Sequence, residues 1–187
     1  MPIPEFDHND VLPPHLGDPR RHDELSPFPA TSLEVCQRFG TTPARKLILQ
    51  RWLGFRARMN EVGITSGVQW LDGSFMENRD AHGGDAPNDL DLVTFYDVPP
   101  GESAEDFLAR VDANFPEFFD PFLSRRDFFV DHFSIHLGQN GISLVDTTRY
   151  FTGLFSHRSD GVWKGMLCVE LNTLPADTNA AQFLSTQ

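Results

Sequence analysis

The chain has 187 residues, 40% hydrophobic and 22% charged, with a formal net charge of −12. That composition is globular and excludes a disordered or fibrous chain, and the length suits one domain with a core of its own. The acid surplus excludes broad adhesion to nucleic acid or to anionic membrane, both of which need an excess of Lys and Arg.

Residues 1 to 31 read as an extended arm, because Pro2, Pro4, Pro13, Pro14, Pro19, Pro27 and Pro29 forbid a long helix. Ile3, Phe6, Val11 and Leu12 are expected to dock part of it on the domain that follows, residues 32 to 187. His8, His15 and His22 recur there without a helix to align them, so they point to no metal site. The segment MPIPEFDHNDVLPPHLGDPRR lacks the basic head and apolar block of a secretory signal. No run approaches the roughly 20 apolar residues of a membrane span. Cys36 and Cys168 stand far apart, without the spacing of a zinc knuckle or a disulfide framework. A reducing cytoplasm is the expected setting.

Ser32 is placed to cap a short helix through Phe39, closed by Gly40. Thr42 and Pro43 open a longer helix that Gly63 ends, with Leu49, Trp52, Leu53, Arg56 and Met59 at helical spacing. Its basic residues Arg45, Lys46, Arg51, Arg56 and Arg58 read as a solvated face. The period then changes. GVQWLD, DLDLVTFY and FFVDHFSIHL read as strands, with a helix capped by Ser103 between the last two. Residues 144 to 155 read as a helix and GVWKGMLCVEL as a strand or buried segment. The fold class is α/β (α+β), a mixed sheet flanked by helices.

Asp89 and Asp91 head the second strand. Side chains two apart in a strand point the same way, about 7 Å from one another, so the pair forms a two-carboxylate platform that repels itself unless a cation intervenes. Mg²⁺, a hard ion that prefers oxygen ligands, fits that need, as does Mn²⁺. The alternative is that Asp89 ends a loop and Asp91 is an exposed strand acid. Upstream, Gly73-Ser74 follows the first strand, where a glycine admits a close ligand and a serine hydroxyl with neighbouring amides can hold phosphate oxygens. Asp131 lies within an apolar strand, where an unpaired charge is costly, and Asp127 and Asp146 are other acids of the same region.

These residues resemble the nucleotidyltransferase fold of the DNA polymerase β superfamily: Gly73-Ser74, then Asp89-Leu90-Asp91-Leu92, then the strand acid Asp131. MPIPEF, LPPHLG, GTTPARK and SHRSDGVWKG are also similar to small bacterial proteins of that fold. The resemblance implies that Asp89, Asp91 and Asp131 bind Mg²⁺ or Mn²⁺ and carry catalysis, and that Gly73 and Ser74 position a nucleoside triphosphate. It implies transfer of a nucleoside monophosphate to an acceptor hydroxyl, in a setting such as a toxin–antitoxin or phage-defence module. The segment ENRDAHGGDAPN is longer than the usual spacer and leaves a second class open, a catalytically lapsed nucleotide-binding or protein-interaction module.

Arg158 and Lys164 in SHRSDGVWKG are candidate phosphate contacts, with Arg79 another; the competing reading is a polar turn whose Trp163 packs into the core. His132 and His136 share a strand face opposite Asp131 but lack a third zinc ligand. The acidic balance favours a protein or small-molecule acceptor over RNA, and no membrane. An RNA acceptor would need a local patch from Arg125, Arg126, Arg149, Arg158 and Lys164.

Overall fold

Capping chemistry sets the helix boundaries in the computed structural model, which describes residues 3–186. Met1 and Pro2 of the predicted arm and Gln187 of the predicted domain lie outside the described residues. Helix α1 (Ser32–Phe39) starts with a capping box in which the Thr31 side chain accepts from the Glu34 amide and Glu34 reaches back to Thr31. The cap is therefore Thr31, not Ser32, which is buried as the first helical residue. Helix α2 (Pro43–Val62) opens on Thr42, whose side chain accepts from the Arg45 amide, and closes on Gly63 at a left-handed φ of 93°. Ser103 caps α3 (Ala104–Asn114), accepting from the Asp106 amide.

Five strands form one mixed sheet in the order β1-β5-β2-β3-β4. They are β1 (Phe28–Pro29), β2 (Gly67–Asp72), β3 (Leu90–Tyr96), β4 (Val130–His136) and β5 (Leu167–Glu170). β2 runs antiparallel to both of its neighbours, β3 and β5, whereas β3 and β4 are parallel, as are β1 and β5. The parallel β3–β4 pair needs a crossover; α3 and α4 (Pro121–Phe128) supply it.

Alternation along the strands divides the two faces. Leu90, Leu92 and Tyr96 join the main core, which α1, α2, α3 and α6 (Leu174–Ser185) fill with Val35, Trp52, Phe55, Phe107 and Leu184. Val93 and Phe95 point the other way, into a small core with Phe151 and Phe155 of α5 (Gly141–Phe155). Among the described residues, α5 is the helix packed on that second face, with Met166 beside it, and the sheet end carrying the acids lies next to it. Among the described residues, no helix is long and apolar enough to cross a membrane.

The structure corrects several expectations. The stretch read as one strand from Phe128 is helical at Phe128, turns at Phe129 with φ 54°, and becomes extended only at Val130. Asp120 and Pro121 open that unforeseen α4, the Asp120 side chain accepting from the Phe122 amide. α5 starts at Gly141, capped by Asn140, and the strand expected from Gly161 is confined to Leu167–Glu170. The proline-rich segment also supplies a strand: β1 pairs with β5, and Ile3, Leu12 and Phe28 are core residues.

The solvated basic face of α2 is wrong at two positions. Arg45 is buried, donating to both oxygens of Asp80 and to the carbonyls of Phe75 and Glu77. Arg56 is buried as well, donating to Gln69, Asp177, Thr173 and the Glu170 carbonyl. Long side chains able to satisfy fixed carbonyls and acids lose less on burial than their charge implies.

Candidate active site

Strand register assembles the acids. Asp72, the last residue of β2, pairs with Asp91 of β3, and Asp91 pairs in turn with Asp131 of β4. Three carboxylates thus stand side by side across neighbouring strands, which are about 4.8 Å apart. Like charges directly opposite are destabilising. Asp89, just ahead of β3, completes the group.

The electrostatics record the crowding. Burial pushes the Asp91 carboxyl up to about 6, helped by the charges of Asp89 and Asp131 and opposed by Lys164 and Arg125. Burial likewise raises Asp72 to about 7 against the pull of Lys164. Asp131 is raised by burial and by Asp89, with Arg125 opposing. Arg125, near the end of α4, bridges two of the acids: its Nε lies 2.8 Å from Asp89 Oδ2, and its Nη2 binds Asp131 Oδ2. Among the described residues, no three His, Cys, Asp or Glu side chains are gathered as a ready chelate.

Gly73 turns the chain out of β2 at φ 82°, and a Cβ built there would overlap the Asp91 carboxylate. Glycine is required twice, by the backbone and by the acid beside it. A short 3-10 turn, Ser74–Met76, follows, and no hydrogen bond commits the Ser74 hydroxyl among the described residues. Arg45 holds the next stretch from below through the Phe75 and Glu77 carbonyls. The spacer after it contains a second 3-10 turn, Arg79–His82.

Asp72, Gly73, Ser74, Asp91, Asp131 and Lys164 line one cleft of about 320 Å³, with Arg79 and Arg158 on its wall and Phe133, Leu154 and Phe155 supplying an apolar side. Lys164 lies at its base as a buried cation, 3.0 Å from Asp72 Oδ2, 3.5 Å from Glu77 Oε1 and 3.4 Å from the Gly73 carbonyl. It neutralises acids and ties the glycine turn to its own segment. Asp72 Oδ1 and Glu77 Oε2 remain buried without a partner. Arg158 is paired with Asp160 and donates to the Asn9 carbonyl of the arm. Arg79 has no protein partner among the described residues and is the least committed cation on the wall.

Other candidates fall elsewhere. Asp127 and Asp146 are exposed and paired with Arg126 and Arg149. His132 is buried against Phe55, bonded to Thr94, and pushed down to about 3 by burial, so it is a neutral core residue. Trp163 does not pack into the core: it is 62% exposed, its ring tilted against that of His157 with centroids 4.4 Å apart. Sequence reasoning missed Asp72 and Glu77, and gave Arg45 a solvated face and Arg125 a place in an RNA patch instead of a role at the acids. The first was available: Asp72 directly precedes the glycine turn, and antiparallel pairing of GVQWLD with DLDLVTFY puts it opposite Asp91.

The Gly73 geometry makes a prediction. Gly73→Ala is expected to cost about 1–3 kcal/mol in chemical unfolding. Gly101→Ala, at φ 90° with open space around the added carbon, measures the backbone part alone. Equal losses in the two variants would show that the Asp91 carboxylate does not press on Gly73.

A model of a family of unknown function, DUF6932, matches residues 4–170. No curated protein matches the chain.

Proposed function

The chain belongs to the DUF6932 family of unknown function, and from its acid-lined cleft we propose that it is a metal-dependent nucleotidyltransferase. The observation that carries the reading is the register row of carboxylates beside the Gly73-Ser74 turn, all in one cleft. The resemblance of these residues to the polymerase β superfamily supports it.

The donor set fits a hard divalent cation. It offers only carboxylate oxygens, of which Asp91 and Asp131 are raised by burial and by the charge of Asp89, and a guanidinium lies on Asp89 and Asp131. Asp89, Asp91 and Asp131 would hold Mg²⁺ or Mn²⁺. Such an ion neutralises triphosphate charge and lowers the pKa of an attacking hydroxyl. The chain's own groups do the rest. The Ser74 hydroxyl and the amides of its turn bind phosphate oxygens, Arg79 adds a cation at the wall, and the Phe133–Leu154 side of the cleft excludes water from the transfer. The acceptor oxygen bonds to the α-phosphorus, pyrophosphate leaves, and the hydroxyl proton passes to a carboxylate of the row.

Each cation of the potential RNA patch has an acid partner: Arg125 with Asp89 and Asp131, Arg126 with Asp127, Arg149 with Asp146, Arg158 with Asp160, and Lys164 with Asp72 and Glu77. That pairing supports a protein or small-molecule acceptor, in a cytoplasmic setting where nucleoside triphosphates are abundant. The Arg125 bridge also favours a second reading, a lapsed nucleotide-binding or protein-interaction module in which the guanidinium permanently replaces the ion.

Incubation with each labelled triphosphate, Mg²⁺ or Mn²⁺ and host extract separates the two. Labelled product supports transfer; binding without turnover supports the module. Ser74→Ala is expected to raise the triphosphate KM about tenfold, the scale of one hydrogen bond to a charged group, while turnover persists. A covalent adduct on Ser74 would overturn its positioning role.

A further inference from the structure

Helix α5 exposes more apolar surface than its role as cover of one sheet face requires. Phe151 and Phe155 point inward to the small core. On the outer side Ile142 is 83% exposed, Val145 69%, Tyr150 55% and Leu154 47%. A grouped apolar face of this kind on a soluble domain marks a contact surface.

The face is self-complementary. Ile142, Asp146, Arg149 and Gly153 run along the middle of the exposed strip at helical spacing, with Val145 and Tyr150 on its two flanks. Asp146 and Arg149 lie 2.9 Å apart and are both largely exposed, so both are presented to a partner. Gly153 leaves open space where a side chain would stand. A two-fold axis passing between Thr147 and Thr148 sets a second helix antiparallel to the first. It brings Ile142 of each copy to the bare Gly153 of the other and Asp146 of each to the level of Arg149. A knob meets a hole and each acid meets a base, twice, which is what an isologous interface requires.

We propose that α5 is the surface through which two copies of this chain associate, antiparallel across that axis. The proposal does not depend on the chemistry of the cleft. Because Leu154 also lines the cleft, association would bring the start of the second copy's α5 to the cleft rim.

One helix pair lies at the small end of stable interfaces, so sedimentation velocity is expected to give a dimer with a Kd of roughly 1–100 µM. Arg149→Asp places four acids at the crossing and is expected to weaken association by about tenfold or more. Combining it with Asp146→Arg restores opposite charges and should recover the dimer. Ile142→Glu, at an exposed position that the fold does not need, should also give monomer. Circular dichroism checks that each variant stays folded. A wild type that remains monomeric at several hundred micromolar, a dimer indifferent to Arg149→Asp and Ile142→Glu, or a charge swap that does not recover would each overturn the proposal.

Discussion

Asp91→Asn is expected to lower the proposed nucleotidyl transfer by 10²–10³-fold or more, on the order of removing one preorganised charge-stabilising group, while making the fold more stable. Most substitutions of a buried polar residue do the reverse. Here the Asp91 carboxylate stands between Asp72 and Asp131 in register, makes no hydrogen bond among the described residues, and is pushed up to about 6 by burial and by neighbouring acids. An amide keeps the shape and removes the repulsion, for a gain of about 1–3 kcal/mol at pH 8 without divalent metal.

The sign can be tested against pH. Because the folded-state pKa of Asp91 lies above its unfolded value, the native protein takes up a proton between about pH 4 and 6 that the unfolded chain does not. Stability from this group is therefore present at low pH and is lost as pH rises through about 6. His132 acts in the opposite direction: burial lowers it to about 3, so its contribution falls as pH drops below about 6.5. Subtracting the Asp91→Asn profile from that of the wild type cancels His132 and leaves the Asp91 window together with the part of the Asp72 and Asp131 titrations that depends on the Asp91 charge. A difference between the two that stays constant from pH 4 to 8 would sink this account. Mg²⁺ should stabilise the wild type more than the variant.

The second large effect is structural. Arg56→Met is expected to destabilise the protein by about 3–5 kcal/mol, the cost of leaving the other half of a buried ion pair uncompensated. That corresponds to a fall in Tm of roughly 6–20 °C for a chain of this size. Arg56 is 1% exposed and donates to Asp177, Gln69, Thr173 and the Glu170 carbonyl, joining α2 to β2, β5 and α6. Arg58→Met, two residues on and 38% exposed, with Glu61 as its close partner and Glu117 at 3.6 Å, should cost no more than about 1 kcal/mol. Similar losses in the two variants, followed by thermal unfolding, would remove the distinction between them.

The same arginines show where sequence reasoning reached and where it stopped. Periodicity and caps place the ends of α2, because Thr42, Pro43 and Gly63 act on their own backbone. The Asp89–Asp91 pair is legible for the same reason, since strand alternation is local. Burial of Arg45 and Arg56 is decided by Asp80 and Asp177, partners far along the chain that no window of residues contains. The C-terminal end of α4 at Phe128 was hidden because FFVDHFSIHL alternates well enough to extend a strand backward over two aromatic residues. Lys164 reads as a phosphate contact until β5 and the Gly73 turn converge on it, at which point Asp72 and Glu77 claim it.

The arm that supplies β1 has a consequence for how the protein is made. Its Ser26 hydroxyl meets the Met166 carbonyl 140 positions away, and the Asn9 carbonyl takes Arg158 from 149 positions away. A ribosome releases the arm before these partners, at about 5–20 residues per second. For several seconds or more, the sheet edge that β1 will occupy does not yet exist. Contacts of such long sequence separation also slow folding, since loop closure precedes its reward. The cleft wall that includes Arg158 is therefore completed only after that segment has left the ribosome, and a copy synthesised short of it has no finished site.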